Sequence, residues 1–203
     1  MIRRSVMNQT ATLAAPQPRV LADVLSNTRV RDAALVIGAA LLTAACAQIS
    51  IPIPGSPVPV TGQTFAVLLT GAALGANRGA SGQLLYVAMG LVGLPFYADG
   101  AHGVDVVWGA TGGYLIAFPI SAWVCGRLAE KRYDRTPQTA LPAFLAGSII
   151  VFAIGVPWLA VSADISLWKA IDLGFVPFIP GGILKAALAA GLLPTAWAIA
   201  NRK

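Results

Sequence analysis

Residues 141–161 read LPAFLAGSIIVFAIGVPWLAV, a run of 21 residues without a charged side chain. An α-helix needs roughly 20 apolar residues to cross the hydrocarbon core of a bilayer, so this stretch predicts a membrane-spanning helix. Five further apolar stretches complete the pattern, and together they decide the fold class. They are 32–50, 62–76, 81–94, 109–128 and 180–200. The stretches 62–76 and 81–94 are short, so we expect their ends to continue into ordered loops, or their helices to be broken.

The composition agrees with a surface that faces lipid. The chain has 203 residues, of which 57% are hydrophobic and 11% charged, and its mean hydropathy is +0.73. A soluble domain carries roughly 25% charged residues. We therefore predict an all-α integral membrane protein with one transmembrane domain at 32–200. A tail precedes it at 1–31 and a short terminus follows at 201–203.

The positions of the basic residues predict the orientation. With the amino terminus inside, 12 of the 14 Lys and Arg residues fall in the inner tail and loops, and only Lys169 and Lys185 fall outside. Such a bias is typical of cytoplasmic loops, so we predict six helices with both termini cytoplasmic. The basic residues stand in short groups and form no clustered face, which excludes a nucleic-acid-binding protein. Apolar residues of 20–25 recur at helical spacing, so this part of the tail is either a helix on the inner membrane surface or a frayed end.

The outer connections are long and unusual. Residues 51–61 contain four prolines and must be extended, whereas 95–108 and 162–179 carry aromatic and acidic residues. The inner connections are simpler: 77–80 is predicted to be a tight turn and 125–139 a charged loop. Elaborate loops on one face are typical of a binding face.

Lys185 stands about one turn into the last apolar stretch. A lysine at membrane depth is costly and usually marks a functional site. We expect its ammonium to meet an anionic group such as a carboxylate, and the alternative is a side chain that snorkels to the outer surface. Gly181 and Gly182 follow Pro180 and leave amide groups open at the helix amino terminus, where anions are favoured. The alternative for these residues is a plain helix start.

Polar and aromatic residues near the other outer ends complete the candidate site. The amide of Gln63 can donate and accept, which suits a neutral ring with N–H and C=O groups. Capping of the helix by Thr61 or Thr64 is the alternative. Asp99 and Asp105 can accept a ligand N–H. The aromatic side chains of Tyr97 and Trp108 can enclose an apolar ring or anchor the chain at the membrane interface.

Small residues recur every four positions in the first stretch. They form the pairs Ala34 with Gly38 and Ala40 with Ala44. Small residues let transmembrane helices approach closely, either within the bundle or against another membrane protein.

One motif invites an enzymatic interpretation. Gly79-Ala80-Ser81-Gly82 matches the Gly-x-Ser-Gly pattern of rhomboid intramembrane proteases, which need a histidine beside the serine. The single histidine, His102, is expected at the opposite membrane face, roughly 30 Å away. We therefore predict no catalytic residue. No phosphate loop and no metal-ligand spacing is present, so a partner must hydrolyse any ATP that drives the protein.

Several motifs, taken in order, carry a resemblance to a known family. They are PVPVTGQT at 57–64, GANRG at 75–79, Tyr86, GLPF at 93–96, GATGGY at 109–114 and FIPGGILK at 178–185. This ordered set resembles the BioY family, the biotin-specific substrate-binding subunits of energy-coupling-factor (ECF) importers. The resemblance covers about residues 32–200.

The resemblance implies a six-helix bundle in the prokaryotic cell membrane that captures biotin from outside with high affinity and needs no cofactor. It also implies partners, namely one transmembrane scaffold protein and two ATPases, although some members of the family work without a dedicated module. The small-residue face formed by Ala34, Gly38, Ala40 and Ala44 would meet the scaffold. A homo-oligomer is left open.

Biotin has one carboxylate, a ureido ring that donates and accepts, and an apolar sulfur ring. Lys185 suits the carboxylate or the ureido oxygen, and Gln63, with Thr61 beside it, or an outer acid suits the ureido group. The apolar wall would be formed by Phe96, Tyr97, Trp108 and Tyr114.

One position departs from the family pattern, which usually reads Pro-Gly-Asp-x-x-Lys. This chain has Gly182 in place of the acid. We expect weaker biotin binding, a shifted ligand, or specificity for another vitamin. Asp99, Asp105 and Asp172 are candidates to compensate.

Overall fold

The helices of the bundle follow the apolar stretches closely. The structure is a computed structural model that describes residues 19–25 and 28–202. Within that part of the chain there are eight α-helices, a pair of two-residue strands and three single 3-10 turns. The helices are α1 (Arg29–Ala47), α2 (Gln63–Leu74), α3 (Ala76–Leu91), α4 (Val104–Trp108), α5 (Gly112–Glu130), α6 (Pro137–Ser162), α7 (Leu167–Gly174) and α8 (Ile179–Ala200). The prediction of an all-helical fold is confirmed.

Three helical segments of the described residues are long and apolar enough to cross a membrane. They are Arg29–Ala47, Pro137–Ser162 and the continuous stretch Leu167–Ala200. Helices α2 and α3, at 12 and 16 residues, are shorter than a full span, in agreement with the short stretches in the sequence. The number of six spans therefore stays a prediction.

The connection between α2 and α3 is a single residue, Gly75. Its backbone has φ of 86°, a conformation that glycine adopts at little cost, and it reverses the chain. The amide of Ala76 then donates to Glu130 Oε1 at 2.9 Å, which satisfies one open group at the start of α3. The predicted turn at 77–80 is wrong, because Gly75 makes the turn and those four residues are helical.

Helix α5 lies at the centre and packs against α2, α3 and α6. Two glycines allow close approaches between backbones. A methyl group added at Gly71 would overlap the backbone of Ala122 on α5, and one added at Gly126 of α5 would overlap the backbone of Ala76. These contacts are typical of helix packing in lipid, where no hydrophobic effect drives helices together.

The described ends of the chain lie at the same end of the bundle. Arg135, in the connection between α5 and α6, donates to the carbonyl of Arg19 at 3.1 Å. The neighbouring Asp134 accepts a hydrogen bond from Trp197 Nε1 near the end of α8, at 2.5 Å. The described ends of the chain, near Arg19 and Trp197, therefore lie close to the same inter-helix connection, and the side of the membrane on which they lie stays a prediction.

The tail residues next to α1 pack into the bundle. Val20 is 1% exposed and lies beside Gly75, and the 3-10 turn Leu21–Val24 follows it. Arg78 Nη2 contacts Asp23 Oδ1 at 2.6 Å and fixes this segment to α3. Residues 20–24 are therefore not a frayed end, whereas their placement on the membrane surface stays a prediction, and residues 1–18 lie outside the described part.

The outer connections hold more structure than the sequence indicated. Strands β1 (Ser50–Ile51) and β2 (Val60–Thr61) pair antiparallel, and the proline-rich chain between them contains no helix, as predicted. The other two connections contain the short helices α4 and α7, which were not predicted. The amide of Lys169 donates to Ser166 Oγ at 3.3 Å, and this N-terminal cap explains where α7 begins.

Candidate ligand-binding site

A cavity of about 180 Å³ lies where β2, the 95–108 connection and parts of α2, α5, α6 and α8 meet. Apolar and aromatic side chains form most of its wall, and a few polar groups interrupt them. The lining residues are Val58, Pro59, Thr61, Gln63, Thr64, Tyr97, Ala98, Asp99, Ala101, Val106, Thr111, Tyr114, Leu115, Phe118, Ser148, Val151, Phe152, Phe178, Gly182 and Lys185. This pattern is typical of a small-molecule site.

Lys185 extends from α8 across the cavity to the start of α2. Its Nζ donates to the carbonyl of Thr61 at 2.8 Å and to Thr64 Oγ1 at 2.7 Å. An ammonium has three N–H groups, so one is left for a ligand oxygen. The side chain lines the cavity, and this geometry disfavours the snorkelling alternative.

Gln63 is 6% exposed at the start of α2, and hydrogen bonds fix its amide at both ends. Thr61 Oγ1 donates to Gln63 Oε1 at 2.7 Å, and Gln63 Nε2 donates to the hydroxyl of Tyr86. One N–H and one lone pair of the amide remain for a ligand. The capping alternative is wrong, since Gly62 occupies the cap position and no side chain caps the helix.

Gly182 lines the cavity within the first turn of α8, which begins at Ile179. No atom lies within 4 Å of the place where its Cβ would be. The first amides of a helix have no partner within the helix, so this end of the cavity attracts electronegative groups. The wall here has room for a larger side chain.

The structure distinguishes among the three acids that could compensate for Gly182. Asp99 lines the cavity, whereas Asp105 and Asp172 are not among its lining residues. Asp99 is exposed and has φ of 57°, and its Oδ2 accepts a hydrogen bond from Ser50 Oγ at 3.0 Å. Asp172 instead lies 3.5 Å from Lys169 Nζ. Asp99 is therefore the carboxylate that the described residues contribute to the cavity.

Two of the four predicted aromatic residues line the cavity. Tyr97 and Tyr114 do so, and their hydroxyls donate to the carbonyls of Val87 at 2.7 Å and Gly174 at 2.9 Å. Phe96 and Trp108 do not, so the cavity gives no support to a role for these two rings in its wall.

The two excluded rings have other partners. Trp108 is 69% exposed and stacks on Trp158, with ring centroids 5.8 Å apart. Phe96 stacks on Tyr86 at 6.5 Å. Both rings are therefore held outside the cavity, and the second supports the residue that bonds Gln63.

Apart from Tyr114, the sequence did not identify the part of the wall that α5 and α6 supply. Phe118 follows Tyr114 by four positions, and Phe152 follows Ser148 by four, so each pair lies on one helix face. This spacing was visible in the sequence. Both helices are apolar all round, so the spacing could not show which face lines a cavity.

The small residues of α1 divide between two faces. Ala34 and Gly38 are exposed and line a groove against α2, and nothing lies within 4 Å of the position of a Cβ at Gly38. Ala40 and Ala44 are 2% and 8% exposed and lie in the core of the bundle. The prediction that all four form a docking face is therefore wrong for Ala40 and Ala44, which no partner can reach.

The protease interpretation fails on geometry. The amide of Gly103, beside His102, donates to the carbonyl of Gly90 at 2.8 Å. Ser81 lies nine residues before Gly90 on α3, which is about 14 Å along the helix axis. That distance is about half the expected one, yet it is far beyond the reach of a hydrogen bond. The described residues also contain no group of three or more metal-ligating side chains.

Comparisons with known proteins agree on one family. The sequence model of the family described as BioY matches residues 16–202. A probable biotin transporter BioY of Pyrococcus horikoshii is 38% identical over 162 residues, which cover 79% of this chain and 93% of the relative. A biotin transporter BioY of Thermotoga maritima is 40% identical over 140 residues, with coverages of 69% and 81%.

A solved structure has the same fold. It is the S-component for biotin from an ECF-type ABC transporter, with a TM-score of 0.77 and 25% sequence identity. The match covers 84% of this chain and 94% of the other.

Proposed function

Because this chain belongs to the BioY family, we propose that it is a substrate-binding subunit that captures biotin outside the cell and serves its uptake across the membrane. The names of its relatives and the solved biotin S-component support this assignment. In this proposal the chain itself hydrolyses nothing and requires no cofactor. The energy comes from ATPases in separate subunits.

The main support for the proposal is the arrangement of a few polar groups within an apolar cavity wall. Lys185 offers one N–H to an oxygen of biotin, either a carboxylate oxygen or the ureido oxygen. Gln63 can both donate to and accept from the ureido group. The aromatic and aliphatic wall suits the sulfur ring and the hydrocarbon tail. Asp99, exposed at the mouth, offers an acceptor for a ligand N–H.

In the proposed membrane arrangement, α1, α2, α3, α5, α6 and α8 are the six spans and both termini are cytoplasmic. The short helices α4 and α7 then belong to the outer connections, next to the cavity. The excess of basic residues at the end with Arg78 and Arg135 supports this orientation. The protein would lie in the cytoplasmic membrane of a prokaryote.

The proposed partners are one transmembrane scaffold subunit and two ATPase subunits. Of the four small residues predicted to meet the scaffold, Ala34 and Gly38 are the two that a scaffold helix can reach, and they line a groove. Small residues there would let the backbones approach closely. Whether the protein also forms a homo-oligomer can be measured on the purified protein.

The direct test is equilibrium binding of radiolabelled biotin to the purified protein in detergent, with unlabelled vitamins as competitors. We expect saturable binding of labelled biotin. Among the unlabelled vitamins, biotin should abolish this binding and the others should not. Saturable binding of a different vitamin, without biotin binding, would favour the second candidate function, the same fold with another specificity. The absence of a side chain at Gly182 is the observation that favours this second candidate.

A further inference from the structure

A serine hydroxyl forms part of the cavity floor. Ser148 is the cavity-lining residue of α6 that is nearest to the start of the helix. It lies about 17 Å from Pro137 along the helix axis. Helix α5 runs the opposite way, and its deepest lining residue is Phe118. Ser148 and Phe118 therefore mark the end of the cavity farthest from Asp99 and the outer connections.

The surroundings of this hydroxyl are apolar. Ser148 is 9% exposed, and its neighbours in the wall include Leu115, Phe118 and Val151. Its Oγ donates to the carbonyl of Phe144 at 3.1 Å, so its single proton is already used. The oxygen keeps lone pairs for a further bond. In this state Ser148 can accept a hydrogen bond from a ligand but has no proton to donate.

A second buried serine shows what a purely structural hydroxyl looks like here. Ser121 on α5 is 0% exposed and donates to the carbonyl of Gly147 at 2.9 Å, next to Ser148. It joins α5 to α6 and does not line the cavity. Among the described residues Ser148 Oγ bonds within its own helix and lines the cavity, so it does not join α6 to another helix as Ser121 does.

Elsewhere the buried wall offers one N–H of Lys185 and the amide of Gln63, which can donate or accept at the start of α2, while Gly182 contributes no side chain. Asp99 lies at the exposed mouth. A ligand N–H that reaches the floor would lose its water and needs an acceptor there.

We propose that Ser148 Oγ accepts a hydrogen bond from a ring N–H of the ligand and thereby selects ligands with a ureido or related cyclic amide group. With biotin bound, this N–H is one of the two in the ureido ring. The inference rests on the proposed function. It assigns a specificity-determining role to a residue at the cavity floor.

The test compares the wild-type protein with Ser148→Ala, Ser148→Cys and Ser121→Ala, each purified as the full chain in detergent. We expect Ser148→Ala to weaken biotin binding about tenfold, the size of one buried hydrogen bond. Ser148→Cys keeps a weak acceptor and should fall between Ser148→Ala and the wild type. Ser121→Ala should bind as the wild type does, since its hydroxyl meets no ligand.

A second measurement separates a ligand contact from a loss of packing. Proton–nitrogen NMR of bound biotin, labelled with ¹⁵N in the ureido ring, reports each N–H directly. One N–H proton should move upfield in Ser148→Ala and stay in place in Ser121→Ala. Weaker binding with both N–H signals unmoved, or unchanged binding, would overturn the inference. If the wild-type protein does not bind biotin, the proposed function is overturned instead.

Discussion

The ammonium of Lys185 lies 2.7 Å from the hydroxyl of Thr64 and 2.8 Å from the carbonyl of Thr61, although more than a hundred residues separate them along the chain. These two bonds join the first turns of α8 to the end of β2 and the start of α2 across the cavity. They hold the long lysine side chain in one place before a ligand arrives. A preorganised cation loses less conformational entropy on binding than a mobile one.

Replacement of this lysine should be costly. We expect Lys185→Ala to weaken biotin binding at least tenfold, because a ligand oxygen loses its charged donor in a largely buried site. Lys169→Ala is the matched control, since Lys169 is an exposed outer lysine that pairs with Asp172. Equal affinity of Lys185→Ala and the wild type for biotin would show that Lys185 does not contact the ligand.

The same variant can show which end of biotin meets the lysine. Biotinol carries an alcohol in place of the carboxylate but keeps the ureido ring. If Lys185 binds the carboxylate, the variant and the wild type should bind biotinol about equally well. If it binds the ureido oxygen, the substitution should weaken the binding of biotinol and biotin alike.

Restoring an acid at position 182 should strengthen binding. The space around Gly182 is open to 4 Å from the position of a Cβ, so Gly182→Asp should fit without displacing a neighbour. The new carboxylate would lie on the helix of Lys185, three residues before it, and could accept a ligand N–H. We expect tighter biotin binding by Gly182→Asp than by Gly182→Asn, which has the same size without the charge. Equal binding by the two variants would show that the missing charge has no bearing on affinity.

The long spans were predictable because length and hydropathy alone define them. Helix α6 was predicted at 141–161 and is found at Pro137–Ser162. The short helices α4 and α7 have too few residues for a periodic pattern to be recognised. Lys185 was identified in the sequence because a charge within an apolar run stands out. Ser148 and Phe152 were not, because their apolar helix gives no sign of which side faces a cavity.

The division of the small residues on α1 has a similar cause. Ala34 and Ala40 are six positions apart, which places them about 120° apart around the helix. Each pair has the same spacing, so the sequence could not show that one pair faces out and the other in. The burial of Ala40 and Ala44 in the structure shows that this pair faces the core of the bundle.

The exposed pair leads to a test of the scaffold contact. Gly38→Ile should leave the fold and biotin binding unchanged, because nothing lies within 4 Å of the new Cβ. It should reduce copurification of the scaffold subunit severalfold, since a branched side chain keeps helices apart. Gly191→Ile on α8 is the control, at a position that is equally open. Undiminished copurification with Gly38→Ile would show that the scaffold binds elsewhere.

Titration of Asp134, in the connection between α5 and α6, should make the free energy of unfolding depend on pH. Burial raises the pKa of this carboxyl above its ordinary value, against the opposing effects of the bond from Trp197 and the charge of Arg135. A raised pKa means that the folded state favours the protonated acid. The stabilisation from this titration is therefore fully present below the ordinary pKa of about 4 and is lost as the pH rises through the raised value.

Asp134→Asn resembles the protonated acid at every pH and keeps an oxygen that can accept from Trp197. At pH 7 we expect this variant to unfold in detergent at a higher temperature than the wild type, and the difference should shrink as the pH falls towards 4. Asp172→Asn is the control, because that exposed acid pairs only at the surface and should shift the midpoint little at either pH. A variant that is less stable than the wild type at pH 7 would show that the charged carboxylate is the form the fold prefers. In that case its bond to Trp197 and its attraction to Arg135 outweigh the cost of burying the charge.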